Sequence, residues 1–442
     1  MALATSTSTA PGNSGAAPGP VADPLAPDPL GAPWLIKVAI AVAVALTIAF
    51  AIALASGSGA ETAGGRLGGD YPAFYAAGRL ITSSDRRDMY DPARQAQMQQ
   101  GLLPASNDGP SNDGPSNGGP SGSSAPGQGL LYFAYPPHTA LLYAPLSHLP
   151  YRVSYAVHTL LMVAATVAAL ALVRPMVPLV DRHFAIVAIG TIAFYPMYRA
   201  ITGGQNTALT LLLLAGSWRA VDADRDAVAG LLLGLLLFKP QFALPLIGLH
   251  LLARRWRLGA SAALTAVACW GAGAALLGVG WLSRWLDSVR FFSDLDARVN
   301  RRNAVSFLGA ADTVLGVGDS RGRALGAVLA LLTVVALVVV WHKRGRRDLY
   351  WPMMVALPAI VLISPHAMFY DAGLLALPLA AMLAADKVQV REAAVVLWCA
   401  GFLDVAKHAI GLTPLFAVTI AVFVITLLAT RRNHPVARSA TA

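Results

Sequence analysis

Long apolar segments recur through most of this chain, and they limit its fold more than any other feature. A membrane-spanning helix needs about 20 consecutive, predominantly apolar residues, and such stretches return repeatedly between residues 34 and 430. Charged residues make up only 13% of the 442 positions, whereas soluble proteins typically carry about 25%. The sequence therefore predicts an all-α polytopic membrane protein.

Twelve apolar segments are candidate membrane spans, and two neighbouring ones are unusually short. The twelve cover residues 34–55, 153–173, 183–199, 206–220, 227–238, 241–253, 259–280, 323–341, 350–363, 370–385, 392–408 and 413–430. The short pair, 227–238 and 241–253, could be one continuous span or two helices that turn back at Lys239-Pro240. The choice matters because a continuous span would invert the topology of every later segment.

The distribution of basic residues favours the turn. Lys and Arg are enriched in the cytoplasmic loops of membrane proteins. If the chain turns at Lys239-Pro240, most of the basic residues in short loops fall on one side, and the opposite short loops hold only Arg199, Lys239 and Lys407. We therefore expect a multi-pass protein of the cytoplasmic (inner) membrane with both termini in the cytoplasm. The same distribution accounts for the net charge of +10, and it does not indicate a nucleic-acid partner.

Three regions are expected along the chain. Residues 1–33 contain no Lys or Arg and are rich in Ala, Pro and Gly, which is typical of a disordered N-terminal tail. Residues 34–430 form the transmembrane domain. Residues 431–442 form a short cytoplasmic tail.

Two large loops, 56–152 and 281–322, lie on the outer side of this topology. Within the first loop, residues 104–128 repeat Gly, Pro, Asn and Ser and are predicted to be a flexible insertion, because such residues bury too little surface to offset chain entropy. The flanking segments 71–82 and 130–150 are rich in aromatic residues, Leu and Pro. They are predicted to form short helices at the membrane interface.

Several polar motifs also fall on the outer side. They are Gly69-Asp70-Tyr71, Tyr135-Pro136-Pro137-His138, Gly203-Gly204-Gln205-Asn206, Phe238-Lys239-Pro240-Gln241, Ser364-Pro365-His366 with Tyr370-Asp371, and the loop Asn300-Arg301-Arg302-Asn303. Irregular backbone at membrane depth must be buried in protein or line a cavity. The motifs therefore predict a water-filled cavity that opens toward the outer leaflet.

The order of these motifs, and their common side, resemble glycosyltransferase family 87, a family of membrane enzymes of the GT-C superfamily. The matching residues are Gly69–Tyr75, Tyr90-Asp91-Pro92, Phe133 to Pro137, Gly204-Gln205-Asn206, Lys239-Pro240-Gln241, Asn303 with Ser306, and Ser364-Pro365-His366. The resemblance spans roughly 66–375 and implies a GT-C-type fold, with about 12 transmembrane helices. It implies transfer of a sugar, mannose by default, from a polyprenyl-phosphate-sugar donor to a lipid or glycan acceptor at the periplasmic or extracellular face. Direct displacement at the sugar carbon would invert its configuration.

Asp70 has two interpretations. The resemblance implies that Asp70 is the catalytic base, which accepts the proton of the acceptor hydroxyl. Its position before Tyr71-Pro72 also suits a helix N-cap, since Pro is favoured in the first helical turn. The two roles conflict in part, because capping bonds favour the ionised carboxylate and make it a weaker base. Of the two roles, we expect Asp70 to act as the catalytic base.

Basic side chains on the outer side are candidates for binding the donor phosphate. They are Lys239, His366, Arg301, Arg302 and Arg199. Lys239 could instead extend its ammonium group to the interface, and His366 could be a structural residue there. The loop 281–322 mixes its arginines with aspartates, so it could simply be a solvated surface.

The remaining candidates would contact the sugar or the acceptor. They are Gln205, Asn206, Tyr71, Tyr135, His138 and Tyr370, and the first two could instead cap the span that begins beside them. No acidic pair accompanies Asp70, so the sequence predicts transfer without a metal or another cofactor. The alternative function is a transporter or a lipid or glycan flippase, which would favour ionisable residues at mid-membrane. The mid-span positions here are almost all apolar.

Overall fold

The computed structural model describes residues 33–56, 68–100, 102, 131–345 and 348–432. The predicted flexible insertion and nearly all of both predicted tails lie outside the described residues. Within them the chain is helical and forms no strand, apart from one isolated bridge between Ala304 and Met368. The predicted all-α class is therefore confirmed.

The helices are numbered in chain order. The first ten are α1 (Pro33–Ser56), α2 (Tyr71–Thr82), α3 (Pro92–Gln99), α4 (Pro137–Ser147), α5 (Tyr151–Val173), α6 (Pro178–Arg182), α7 (Phe184–Ala193), α8 (Tyr195–Thr202), α9 (Thr207–Asp222) and α10 (Asp226–Leu235). The later ones are α11 (Pro240–Leu252), α12 (Trp256–Leu277), α13 (Trp281–Val299), α14 (Phe307–Leu315), α15 (Ser320–Arg344), α16 (Tyr350–Ile363), α17 (Ala376–Leu383), α18 (Val388–Ala400), α19 (Lys407–Ile410) and α20 (Pro414–Arg432). Short 3₁₀ segments cover Arg86–Asp88, Leu236–Phe238, Arg301–Asn303, Phe369–Leu375 and Gly401–Ala406.

Helix length and apolarity support a membrane protein. Among the described residues, four helices are long and apolar enough to cross a bilayer, namely α5, α12, α15 and the segment Val388–Ile410. The pair α7 and α8, bent by 69°, would make a fifth if it forms one span. Six further apolar helices of 10–17 residues overlap six of the seven other predicted segments. The total of about twelve spans stays a prediction.

The chain turns back at Lys239-Pro240. Arg255, which precedes α12, forms a salt bridge with Asp226 at the start of α10, with 2.7 Å between Nη1 and Oδ1. Further along, Gly234 of α10 packs so closely on Thr265 of α12 that a Cβ at the glycine would lie 2.5 Å from the threonine Cβ. Helices α10 and α12 are therefore parallel, and α11 must return between them. One continuous helix would hold Asp226 and Arg255 roughly 40 Å apart.

Two groups of buried residues hold the helices together. The larger surrounds α16, which is buried from Trp351 to Leu362. The smaller is aromatic and surrounds α2, where rings such as Phe74 and Tyr143 stack with centroids 4.6 Å apart. Helix α2 matches the predicted bounds 71–82, and protein encloses nearly all of it. This enclosure fixes the start of α2, where Asp70 lies.

Candidate active site

The loop that carries Asp70 is locked to the loop that carries Gln205. The backbone N–H of Asp70 donates to the carbonyl of Gly203 at 2.9 Å. Gly204 adopts φ +72°, and a Cβ there would lie 2.5 Å from the Cβ of Tyr71. Glycine alone tolerates both this backbone conformation and this contact. Asp70, at the start of α2, is thereby held against the start of α9.

The side chain of Asp70 does not cap α2, although the residue occupies the N-cap position. It makes no hydrogen bond to the backbone N–H groups of the first helical turn. Its carboxylate instead accepts a hydrogen bond from the amide Nε2 of Gln205, and the residue is partly exposed. The capping interpretation therefore fails on geometry, and the carboxylate is oriented by a side chain from another motif.

The surroundings of Asp70 make it a stronger base than an ordinary aspartate. Burial raises the pKa of Asp70 to about 6, and the nearby carboxylate of Asp296 adds to this rise. The hydrogen bond from Gln205 and the charges of Arg199 and Lys239 act in the opposite direction. A carboxylate with this pKa is ionised at neutral pH and accepts a proton more readily than one with a pKa near 4.

Lys239 forms a buried salt bridge at the turn between α10 and α11. Its Nζ donates to Oδ1 of Asp371 at 2.7 Å, and the two side chains are only 3% and 4% exposed. The other carboxylate oxygen of Asp371 accepts from the backbone N–H of Met368 at 3.1 Å. Lys239 thus does not extend to a solvated interface, and its charge is already balanced by Asp371.

Tyr135 and Tyr370 contribute aromatic rings to the same region. The ammonium group of Lys239 lies 5.8 Å from the ring centroid of Tyr370. The Tyr370 side chain is in turn close to Asp70 and Tyr135. Burial raises the pKa of Tyr135 well above its usual value, and the charges of Asp371 and Asp70 add to this rise. The Tyr135 hydroxyl lies beside the side chain of Asn206, which is fully buried.

His366 meets a carboxylate that sequence analysis did not select. Its Nδ1 lies 3.5 Å from Oδ2 of Asp296, and its ring contacts Phe292 edge to face, with centroids 5.4 Å apart. Asp296 also accepts a hydrogen bond from Nδ2 of Asn300 at 2.7 Å. Burial raises the pKa of Asp296, while the charge of His366 and this hydrogen bond lower it. Two carboxylates, Asp70 and Asp296, thus interact across the site.

A signal for Asp296 was present in the sequence. The buried residues of α13 are Trp281, Ser288 and Asp296, and spacings of seven and eight place residues on one face of a helix. The mixture of Arg and Asp in the 281–322 loop obscured this face. Only the outward positions of α13 form the solvated surface that the mixture suggested.

The candidate arginines occupy two places. Arg199 of α8 is 5% exposed and acts electrostatically on Asp70. Arg301 and Arg302 lie in the 3₁₀ segment before α14. Just after that segment, the N–H of Val305 donates to the carbonyl of Ala367 at 3.0 Å, which holds this part of the chain beside the His366 loop. Arg301 is partly buried and Arg302 is exposed.

The side chains of Tyr71 and His138 do not join the polar groups around Asp70. Tyr71 is fully buried, and its hydroxyl shares a 2.5 Å hydrogen bond with Ser154, so it packs within the aromatic group around α2. Neither ring nitrogen of His138 has a hydrogen-bond partner within the described part of the chain, and burial lowers the pKa of His138 to about 4. The described residues also hold no group of three or more metal-ligating side chains.

The site therefore joins an oriented carboxylate, buried cations and hydrogen-bonding groups at the ends of several apolar helices. This arrangement suits transfer of a polar group beside a membrane. The family model of glycosyltransferase family 87 matches residues 133–365, more than half of the chain. That range includes Gln205, Lys239 and Asp296 but not Asp70. The comparisons with curated proteins and with solved structures found no match. The chain is a membrane glycosyltransferase that belongs to glycosyltransferase family 87.

Proposed function

We propose that this glycosyltransferase moves a sugar from a polyprenyl-phosphate-sugar donor to a hydroxyl group of a lipid or glycan acceptor, with inversion at the sugar carbon. One observation carries the proposal. Asp70 is a partly exposed residue, its carboxylate is oriented by Gln205 instead of capping α2, and burial of that carboxylate raises its pKa to about 6. A positioned base of this kind is what a hydroxyl acceptor requires, because the hydroxyl must lose its proton as it attacks.

In the proposed step, Asp70 accepts the proton of the acceptor hydroxyl. The acceptor oxygen forms a bond to the anomeric carbon from one face while the bond from that carbon to the phosphate oxygen breaks on the opposite face. Polyprenyl phosphate leaves with the electron pair of the broken bond. A positioned base typically accelerates such a step about 10²–10⁴-fold, so Asp70 accounts for one part of the rate enhancement.

The donor phosphate needs positively charged groups beside the base. Because Lys239 is held in a buried pair with Asp371, we assign its main role to holding the turn in place beside the site. We assign the phosphate to Arg199, whose charge acts on Asp70, and to His366, with Arg301 and Arg302 beside the His366 loop. Each preorganised donor at a developing charge contributes about 10²–10³-fold.

The sugar and the acceptor would contact the uncharged groups of the site. Asn206, Tyr135 and Tyr370 supply an amide and two phenol groups near Asp70. Tyr71 and Ser154 hold the base loop against α5 through their hydrogen bond. Mannose is the sugar we propose first, on the family resemblance alone.

The proposed site lies on the periplasmic or extracellular side of the cytoplasmic membrane, with both termini in the cytoplasm. The turn at Lys239-Pro240 supports this topology, because it leaves most short basic loops on the opposite side. Basic loops remain in the cytoplasm. The membrane would also deliver the isoprenoid-linked donor by lateral diffusion.

The test incubates purified protein with a set of radiolabelled polyprenyl-phosphate sugars and membrane lipid extracts. We expect transfer from at least one donor by the wild type and its loss in Asp70→Asn. Asp88→Asn is the matched control, because Asp88 is exposed in the same outer loop. Transfer only from nucleotide sugars would contradict the donor class. Flux of a lipid-linked sugar across vesicles without any transfer would instead support a flippase.

A further inference from the structure

Helix α13 carries one buried carboxylate, and that carboxylate points at the site. The side chain of Asp296 is 6% exposed, and its partners are Nδ1 of His366 at 3.5 Å and Nδ2 of Asn300 at 2.7 Å. The negative charge of Asp296 also acts electrostatically on Asp70 and Tyr370. A buried carboxylate is unfavourable unless it is paired. His366 therefore supplies the charged partner that the buried carboxylate of Asp296 requires.

His366 is held from three directions. Its backbone N–H donates to the Ser364 hydroxyl at 3.1 Å, the ring of Phe292 packs against it, and Asp296 occupies its Nδ1 side. An imidazole whose Nδ1 faces a carboxylate has only Nε2 free for another ligand. Two of these three restraints come from α13.

Two further contacts attach α13 to the segment that precedes α4. The indole N–H of Trp285 donates to the carbonyl of Ala134 at 3.0 Å, and Phe291 contacts Tyr132 with ring centroids 5.4 Å apart. These contacts join α13 to the segment that carries Tyr135. Helix α13 thus spans the site from the Tyr135 segment to the His366 loop.

We propose that Asp296 is a positioning residue, which orients His366 through Nδ1 so that Nε2 meets the substrate, and that α13 thereby completes the site. The inference rests on the proposed function. It assigns the second carboxylate of the site a role different from that of the base. Asp296 acts through His366 and does not itself touch the reacting atoms.

A double-mutant cycle tests this role, because residues that act as a unit show non-additive effects. Asp296→Asn should lower kcat/KM on the order of tenfold to a hundredfold, because the imidazole of His366 loses the charged partner on its Nδ1 side. In a His366→Gln background the same substitution should have an effect of no more than about twofold. Asp294→Asn, which lies on the exposed side of α13, is the control and should match the wild type. Equal losses from Asp296→Asn in both backgrounds would overturn the proposal.

The pH dependence gives a readout that a purely structural role would not move. Arg199, Lys239 and Asp296 are the charged groups that face Asp70, and Asp296 is the one that disfavours its ionised form. Asp296→Asn should therefore move the acidic limb of the kcat/KM profile to lower pH. An unmoved limb would contradict the electrostatic contact between the two carboxylates across the site.

The outcomes separate this inference from the proposed function. Full activity of Asp296→Asn beside an inactive Asp70→Asn would overturn the positioning role and leave the base assignment intact. Full activity of Asp70→Asn would overturn the base assignment. If Asp296→Asn fails to accumulate, Asn300→Ala loosens Asp296 without leaving a buried charge unpaired. It should reduce kcat/KM in the wild type and have no effect in His366→Gln, and additive losses would again refute the proposal.

Discussion

The salt bridge between Lys239 and Asp371 gives the sharpest prediction about the fold. Both side chains are almost fully buried, with exposures of 3% and 4%, and Nζ lies 2.7 Å from Oδ1. Lys239→Met leaves the Asp371 carboxylate buried without its cation. Removal of one partner from a buried ion pair destabilises a protein by about 3–5 kcal/mol, a factor of about 10²–10⁴ in the ratio of folded to unfolded protein.

The unfolding midpoint of detergent-solubilised protein measures this effect. We expect Lys239→Met to unfold several degrees below the wild type, whereas the double variant Lys239→Met/Asp371→Leu should recover most of the loss because it buries no unpaired charge. Arg290→Met is the control. The Arg290–Asp287 pair is 78% and 72% exposed, and such pairs contribute about 0–1 kcal/mol.

Two results would refute this reasoning. A Lys239→Met variant as stable as the wild type would show that the pair is not a buried ion pair, and a double variant as unstable as the single one would show that unpaired charge is not the cause. A stable double variant without transferase activity would add a phosphate contact to the role of Lys239. A stable and active double variant would show that Lys239 serves only to hold the turn between α10 and α11.

Three further predictions follow from the loop that holds Asp70. The transfer rate should fall as the pH decreases through about 6, because protonation removes the base, and a pH–rate profile measures this. Because folding raises the pKa of Asp70 from 3.8 to about 6, its contribution to stability is present at low pH and lost as the pH rises through 6. Asp70→Asn should therefore unfold at a higher temperature than the wild type at pH 7.5, an advantage that disappears near pH 4. Gly204→Ala should lower the unfolding midpoint and the activity together, because the new Cβ would collide with Tyr71 and φ at this position is +72°. Gly190→Ala places its Cβ in open space and should leave both unchanged.

The turn at Lys239-Pro240 could be predicted because basic residues report topology directly. Their distribution depends on which loops remain in the cytoplasm, and no tertiary contact is needed to read it. The salt bridge between Asp226 and Arg255 shows the same turn from packing. The number of spans could not be settled in this way, because several predicted segments form helices of only 10–17 residues.

The roles of single side chains depended on contacts between distant segments. Asp70 and Gln205 are 135 positions apart, and only the interlocked loops show that the carboxylate accepts a bond from Gln205 instead of capping α2. For Tyr71 and Asp296, the role of the side chain depends on where the fold buries it. Tyr71 is enclosed by the aromatic group around α2, and Asp296 is directed inward by a helix whose outward face is charged.

The central claim is that Asp70 is the base for sugar transfer. Its most direct test is the transfer rate of Asp70→Asn from a polyprenyl-phosphate sugar at saturating donor and acceptor, measured beside Asp88→Asn. The account predicts a rate about 10²–10⁴-fold below the wild type for Asp70→Asn, in protein at least as stable as the wild type at pH 7.5, and no change for Asp88→Asn. Transfer by Asp70→Asn at the wild-type rate would contradict it.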